Sequence, residues 1–154
     1  MPDCIFCGIV AGAAPASVVW ADHQVLAFLD IYPVRTGHVL VLPRTHAVRL
    51  SEVPSGVRAH LFDVATEIGE ALRAGPLPCD DVNIVVNDGR AANQTVPHVH
   101  VHVLPRRRGD LPRVLGALMR RPLAPLFDAR GRAALETDAD AIRRHLDAGR
   151  LSTD

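Results

Sequence analysis

Apolar residues follow two periods along the chain, and together these predict a mixed fold. Short apolar runs bounded by turn-forming residues are typical of strands. The runs occupy residues 18–20, 25–30, 38–42 and 82–86. The first three of these runs are apolar at nearly every position, which indicates a sheet that is buried on both faces. Asp22, His23 and Gln24 separate the first two runs, which predicts a turn and therefore a hairpin.

One long segment has the spacing of an amphipathic helix instead. Its apolar residues recur at steps of three and four, so they share one face of a helix. They are Val57, Leu61, Val64, Ile68 and Leu72. Pro54 precedes the segment, and Gly75 with Pro76 follows it, which are start and stop signals. We therefore predict a helix over residues 54–74.

A further segment alternates strictly between histidine and valine over residues 98–103. Strand side chains alternate between the two faces of a sheet, so His98, His100 and His102 should share one face. The valine face suits a core, whereas packing gives no reason for three histidines. Alternate residues lie about 6.5–7 Å apart, so the row spans about 13 Å. Two of the rings could hold one metal ion but not all three, and the row suits an extended phosphate chain.

Histidine chemistry makes this row a candidate for reaction at phosphorus. Imidazole titrates near pH 6.5, and close neighbours disfavour each other's charged forms. One ring can therefore stay neutral and act as a nucleophile, which requires no catalytic metal. The preceding loop adds donors from Asn87, Gln94 and Thr95, and its backbone N–H groups can hold phosphate oxygens. The alternatives are histidines with a structural role only and a site that only binds metal.

Composition narrows the class of protein. The 154 residues suit one domain, and their formal net charge is zero, which argues against nucleic-acid or membrane binding. Three cysteines do not make a disulfide framework and fit a reducing compartment. We find no apolar run of transmembrane length and no signal-peptide pattern. A cytoplasmic protein is expected.

The chain changes character after Pro105. Residues 106–108 are all arginine, and they either contact a polyphosphate leaving group or form a solvated patch. Residues 111–119 predict a short helix, and residues 133–148 predict a charged surface helix. We find no internal repeat and no second apolar core.

The histidine segment and its surroundings resemble one known family. Residues 94–104 resemble the signature of the histidine-triad (HIT) nucleotide-binding proteins, in which three histidines alternate with apolar residues and two further apolar residues follow. Residues 28–31 and 37–41 are similar to the family's nucleoside-binding strand and its successor, and residues 87–89 to its turn. The family usually has glycine where Asn93 stands, and asparagine tolerates the left-handed backbone that glycine adopts.

The resemblance implies an α+β, HIT-like fold. Each subunit would have an antiparallel sheet of about five strands and one long helix, and the sheets of two subunits would join in a homodimer. Residues 1–108 would form the HIT core. Residues 109–154 would form a C-terminal helical extension of the same domain.

The resemblance also implies hydrolysis or transfer at the α-phosphate of a purine nucleotide, through a nucleotidyl-histidine intermediate. The substrate would be a dinucleoside polyphosphate or a nucleoside phosphoramidate. An alternative is a non-catalytic nucleotide- or zinc-binding module that acts through a partner, but such a module has no need of the middle histidine. The implied catalytic residues are His100 as nucleophile, His98 and His102 beside it, and Gln94 and Thr95 at the phosphate.

The same resemblance supplies a nucleoside site. Asp30 would accept from the ribose hydroxyls, and Asn87 would contact the phosphate or the leaving group. Phe6, Ile9 and Ile31 would line an apolar slot for the base, although each of these three also reads as ordinary core.

A second site begins at Cys4 and Cys7. Their spacing is used by tetrahedral zinc, but a lone pair of this kind can also be redox active or incidental. Some bacterial members of the family hold a structural zinc with two such cysteines, a later histidine and the first histidine of the triad. The resemblance therefore implies a zinc site of Cys4, Cys7, His46 and His98, which would draw His98 away from the phosphate.

Overall fold

The computed structural model describes residues 4–120 and 130–151. The helices are α1 (Ile5–Val10), α2 (Ser55–Ala74), α3 (Leu111–Arg120) and α4 (Arg132–Leu151), and the strands are β1 (Val18–Ala21), β2 (Val25–Leu29), β3 (Val39–Pro43), β4 (Asp81–Val86) and β5 (Val101–Arg106). Single turns of 3-10 helix occupy Leu50–Glu52 and Arg90–Ala92. Within the described ranges, no helix is long and apolar enough to cross a membrane.

The five described strands form one antiparallel sheet in the order β1-β2-β3-β5-β4. This confirms the predicted α+β fold, in which α2 is the predicted long helix and further helices follow the sheet at the C-terminal side. Strand β5 lies inside the sheet, where His102 pairs with Leu40 of β3 on one side and with Val85 of β4 on the other. The sheet therefore holds the second half of the histidine segment, residues 101–103, between two neighbours.

Strand β5 begins at Val101 and is shorter than the histidine–valine alternation predicts. The chain bends at His98, whose N–H bonds to the carbonyl of Val96, and the N–H of Val99 bonds to Ala47 outside the ladder. Pro97 also has no N–H to offer to a ladder. The predicted division of side chains holds nevertheless, because the three valines of the segment are buried in the main core.

Helix α2 covers the valine side of the sheet and confirms the helix predicted over residues 54–74. Its predicted apolar face is the one that packs: Leu61, Val64, Ile68 and Leu72 are all buried there. Gly37, with a φ of +83°, lies against this layer, and a Cβ there would approach Leu72 to 3.2 Å. The turn before β3 therefore requires glycine.

Helix α4 is present where residues 133–148 predict a helix, but it is more than a charged surface element. Leu135, Ala139, Ile142 and Leu146 are buried in the same core as α2. Steps of four, three and four residues place them on one face, which the abundant charges on the other faces hide in the sequence. Helix α4 contacts α2, β1 and β2.

The opposite face of the sheet carries the histidines and a smaller apolar cluster. Phe6 of α1 packs there with Leu26, Phe28, Leu40 and Leu42. Helix α1 therefore closes this face next to the histidine segment.

Candidate active site

The ring of His100 has a fixed orientation. Its Nδ1 lies 2.8 Å from the carbonyl oxygen of His98, and a carbonyl can only accept. Nδ1 therefore carries the hydrogen in the neutral ring, and the lone pair lies on Nε2. Phe6 packs edge-on against the ring with centroids 5.2 Å apart, and only 3% of His100 is exposed. This is the arrangement that a neutral imidazole nucleophile requires.

His102 is linked to a fourth histidine. Its Nδ1 lies 3.0 Å from Nε2 of His38, and Nδ1 of His38 lies 3.5 Å from the Asp30 carboxylate. The ring of His102 also packs against that of His100, with centroids 4.8 Å apart. All four side chains are buried. A row of polar groups thus runs from the end of β2 to the candidate nucleophile.

The phosphate loop, which we define as residues 87–95, precedes the histidine segment. Asn93 has a φ of +63° and a ψ of +31°, so it adopts the left-handed conformation expected where the family usually has glycine. Gly89 has a φ of +110°. A turn with two left-handed residues brings the loop back towards β5.

Gln94 holds this loop to the segment before α2. Its Oε1 accepts the N–H of Gly89 at 2.8 Å, and its Nε2 donates to the carbonyl of Val48 at 2.9 Å. The side chain is 8% exposed. Both ends of the amide are thus engaged with backbone, a bracing role that adds to the phosphate contact predicted for Gln94. Asn87 is half-buried and Thr95 is exposed at the two ends of the loop.

The residues predicted to line the base slot differ in burial. Phe6 is buried against Phe28 and the histidines, and Ile9 is half-buried in the same cluster. Ile31 is 40% exposed, and its carbonyl accepts the N–H of Arg130. Phe6 and Ile9 therefore pack as core residues, and Ile31 presents apolar surface beside Asp30.

Cys4, Cys7, His46 and His98, which we call the Cys/His cluster, offer four donor atoms within 4.8 Å of one another. Nδ1 of His98 lies 3.6 Å from each sulfur, and Nδ1 of His46 lies 3.3 Å from the sulfur of Cys7. Tetrahedral zinc, with sulfur at about 2.3 Å and nitrogen at about 2.0 Å, separates its ligand atoms by roughly 3.3–3.8 Å. The donor set and its spacing fit zinc.

Both ring nitrogens of His98 have polar contacts. Nε2 donates to the carbonyl of Pro43 at 2.9 Å, so the lone pair on Nδ1 points at the two sulfurs. A metal-ligating histidine commonly donates its other N–H to a carbonyl in this way. Burial lowers the pKa of His98, and the bond to Pro43 only partly opposes it. The ring is therefore held in its neutral, metal-binding form.

The surroundings of the Cys7 thiol also favour a bound cation. Burial, followed by the hydrogen bond and the charge of Cys4, raises the pKa of Cys7. Two adjacent thiolates are costly without a positive partner, and a bound metal ion supplies one.

Comparison with known proteins identifies the family to which the chain belongs. A family model of the HIT domain matches residues 11–109. The chain belongs to the HIT family. A HIT-like protein of Mycobacterium tuberculosis is 46% identical over 134 residues, which are 86% of this chain and 91% of that protein. The adenosine 5'-monophosphoramidase of Schizosaccharomyces pombe is 38% identical over 104 residues, which are 68% of this chain and 74% of that protein.

A solved HIT structure extends the likeness past the family match. The zinc-bound histidine triad family protein of Mycobacterium smegmatis superposes with a TM-score of 0.79 at 38% identity, and covers 99% of this chain and 98% of its own. The similarity therefore includes the region of α3 and α4, which lies beyond residue 109.

Arg106, the last residue of β5, lies far from His100 along the chain. Arg106 follows His100 by six positions, which is about 20 Å along a strand. Its guanidinium pairs with Asp110 at 2.8 Å and also bonds to Asn83. The chain's own Arg106 is thus occupied at the other end of the sheet, which argues against the predicted polyphosphate contact.

His38 is the residue that sequence reasoning missed. A histidine directly before an apolar strand reads as an ordinary strand end, and its partners are distant in sequence. The signal that could have found it is the register, since β3 and β5 are neighbours and His38 lies two positions before Leu40, the partner of His102. Two residues along a strand return to the same face.

Proposed function

We propose that this HIT protein hydrolyses nucleoside phosphoramidates through a covalent adduct on His100. The single observation that carries the proposal is the orientation of the His100 ring, whose Nδ1–H is held by the carbonyl of His98. The lone pair on Nε2 is thereby positioned for attack on phosphorus. The phosphoramidase relative from Schizosaccharomyces pombe supports this substrate class.

The reaction has two displacements. Nε2 of His100 forms a bond to the α-phosphorus, the bond from phosphorus to the amine breaks, and the amine leaves with its electron pair and takes up a proton. Water then attacks the same phosphorus, the bond to Nε2 breaks, and nucleoside monophosphate is released. In the adduct the imidazole is cationic, and the carbonyl of His98 stabilises it through the Nδ1–H bond.

The remaining residues of the candidate site would bind and orient the nucleotide. Asp30 would accept from the ribose hydroxyls, while Ile31 would contact the base. Backbone N–H groups of the phosphate loop and the side chains of Asn87 and Thr95 would hold the phosphate oxygens. The position of Arg106 gives no support to a dinucleoside polyphosphate, so we place the phosphoramidate first.

We further propose that the Cys/His cluster binds one structural zinc ion. When bound, the ion would neutralise the two thiolates and join α1 to the loops that carry His46 and His98. His98 would then have no part in proton transfer. His102 would be the histidine that faces the phosphate.

A homodimer is proposed as well, with β4 as its contact strand. Strand β4 is one of the two edge strands of the described sheet, and Ile84 and Val85 are 36% and 46% exposed. An exposed apolar edge strand presents unpaired N–H and C=O groups that a second copy can satisfy.

The deciding experiment is to trap the adduct. The protein is mixed with an adenosine phosphoramidate, quenched at alkaline pH to preserve the phosphorus–nitrogen bond, and examined by peptide mass spectrometry. An adenylyl group is expected on the peptide containing His100. His100→Asn should bind adenosine with unchanged affinity, form no adduct, and lose at least about a thousandfold in kcat/KM.

Two results would contradict the proposal. If wild-type protein hydrolyses neither adenosine phosphoramidates nor diadenosine polyphosphates, and His100→Asn binds nucleotide equally well, the protein is a binding module. If only the diadenosine polyphosphates are hydrolysed, the enzyme stands and the substrate class is wrong.

A further inference from the structure

His38 stands between the predicted ribose site and the histidine beside the nucleophile. Its ring is 1% exposed, and both of its nitrogens have polar neighbours. Nε2 lies 3.0 Å from Nδ1 of His102. Nδ1 has two neighbours, the Asp30 carboxylate at 3.5 Å and the N–H of Val34 at 3.4 Å. These two contacts demand opposite roles of the same nitrogen.

A carboxylate oxygen calls for a hydrogen on Nδ1, whereas a backbone N–H calls for a lone pair there. Val34 makes a long hydrogen bond to Nδ1, whereas the Asp30 carboxylate lies at ion-pair distance. Since both contacts are long, neither partner alone fixes the ring. The contact to His102 is shorter, so that partner follows whichever state His38 adopts. The neutral ring therefore has two competing tautomers, each of which determines the role of His102.

In the first arrangement, Nδ1–H of His38 faces Asp30, and Nε2 accepts from Nδ1–H of His102. The lone pair of His102 is then on Nε2. In the second arrangement, Nδ1 of His38 accepts from Val34, Nε2–H donates to Nδ1 of His102, and the hydrogen of His102 is on Nε2. Each ring carries one hydrogen in both. Conversion from the first to the second moves the hydrogen on Nδ1 of His102 to His38, releases the Nδ1 hydrogen of His38 to solvent, and adds one from solvent to Nε2 of His102.

We propose that His38 is a positioning residue through which ribose bound at Asp30 sets the hydrogen-bonding role of His102. Ribose hydroxyls that donate to the carboxylate reduce its demand for the hydrogen on Nδ1 of His38. The second arrangement is then favoured, and His102 presents an N–H beside His100. Such a donor serves the leaving amine or a phosphate oxygen. The inference rests on the proposed function, because the ribose contact of Asp30 belongs to it.

The consequence is that the ribose hydroxyls should affect the chemical step and not only binding. The test compares an adenosine phosphoramidate with its 2',3'-dideoxy counterpart in single-turnover experiments. In wild-type protein, loss of the hydroxyls should lower the single-turnover rate about tenfold or more, in addition to weakening binding. An unchanged rate would overturn the proposal.

Two variants of His38 form a matched pair. In His38→Asn the amide lies near the position of Nδ1 and can reach Asp30 but not His102. In His38→Gln the amide lies near the position of Nε2 and can reach His102 but not Asp30. Neither can connect the two. Both should show equal single-turnover rates with the two substrates, within about twofold, while the ribose analogue still binds more tightly.

If the variants retain the wild-type ratio of rates, His38 does not transmit ribose binding and the proposal fails. If wild-type protein hydrolyses no nucleotide at all, the proposed function fails instead, and the two failures are distinguishable.

A measurement on wild-type protein covers the case in which buried His38 tolerates no substitution. Nitrogen-15 spectra of the imidazoles report which ring nitrogen carries the hydrogen. Adenosine should increase the fraction of His102 that carries its hydrogen on Nε2, and 2',3'-dideoxyadenosine at equal saturation should not. Identical spectra of His102 with both nucleosides would overturn the proposal without any need for catalysis.

Discussion

The main-chain carbonyl of His98 contacts the ring of His100, while the side chain of His98 contacts the two cysteines. Its carbonyl accepts the Nδ1–H of His100 at 2.8 Å, while its own Nδ1 lies 3.6 Å from the sulfurs of Cys4 and Cys7. Whatever fixes the ring of His98 therefore also fixes the backbone that orients the candidate nucleophile. Metal binding and catalysis should be coupled through this one residue.

The first prediction concerns that coupling. Protein purified without added zinc should contain close to one equivalent, and Cys4→Ser and Cys7→Ser should each lower the content below half. Both variants should lose activity together with zinc, because His98 is no longer held by its ring. Elemental analysis and kcat measure the two effects. Cys79→Ser is the matched control, since Cys79 lies outside the cluster, and zinc loss in that variant as well would refute the assignment.

The second prediction concerns Asn93, whose φ is +63°. Asn93→Gly should leave the free energy of unfolding within about 0.5 kcal/mol of wild type, because glycine adopts this conformation without strain. Asn93→Val should cost about 1–2 kcal/mol. Urea denaturation measures both. Ala92→Val is the control, because its neighbouring position lies outside the left-handed region, and an equal loss there would show that the effect is not conformational.

The third prediction concerns Asp22 in the β1–β2 turn. Desolvation would raise its pKa, but hydrogen bonds from Trp20 and His60 and from the N–H groups of Gln24 and Val25 outweigh it and hold the pKa far below the ordinary value. The folded state therefore binds this proton less readily than the unfolded state. Asp22 should stabilise the fold fully above its unfolded pKa of about 3.9, and this contribution should be lost as the pH falls below that value.

The Asp22→Asn variant tests the direction of this pH dependence of stability. The variant should be less stable than wild type by about 2 kcal/mol near pH 6, and the difference should shrink below pH 4. Trp20 is the chain's one tryptophan and donates to Asp22 at 2.7 Å, so its fluorescence reports the transition directly. The exposed Asp63→Asn provides the comparison and should show no such pH-dependent difference. A gap for Asp22→Asn that widens in acid would contradict the argument.

The fourth prediction concerns the exposed edge of the sheet. Wild-type protein should sediment as the proposed dimer, and Val85→Asp on β4 should shift it to monomer, because a buried carboxylate without a partner is costly at an interface. Leu115→Asp on α3 changes an apolar residue that is 53% exposed and should leave the dimer intact. If only the change on α3 causes dissociation, the contact strand has been misplaced.

The sequence predicts the fold well because the periods of its apolar residues are strong. Val99, Val101 and Val103 alternate as a strand, and the structure buries them together. The sequence does not predict where β5 begins. The start of the strand depends on the hydrogen bond from the N–H of Val99 to the carbonyl of Ala47, which lies in a loop that is distant in sequence. It also hides the buried face of α4, whose four apolar residues are outnumbered by charges.

The candidate site is predictable where residue types are unusual and hidden where they are ordinary. Three alternating histidines stand out in any sequence. His38 does not, because its contact with His102 joins residues that are 64 positions apart. The bracing role of Gln94 is hidden for the same reason, since its amide reaches the carbonyl of Val48 across the loop.

The position of α4 has a consequence for how the protein is made. The HIT match ends at residue 109, yet Leu135, Ala139, Ile142 and Leu146 complete the core over α2. On the ribosome, the sheet and α2 emerge before α4, so their apolar surface stays uncovered until α4 has been synthesised. A chaperone should therefore bind this chain during translation at the α2 surface, and premature termination after β5 should yield a product that is degraded rather than a smaller stable protein.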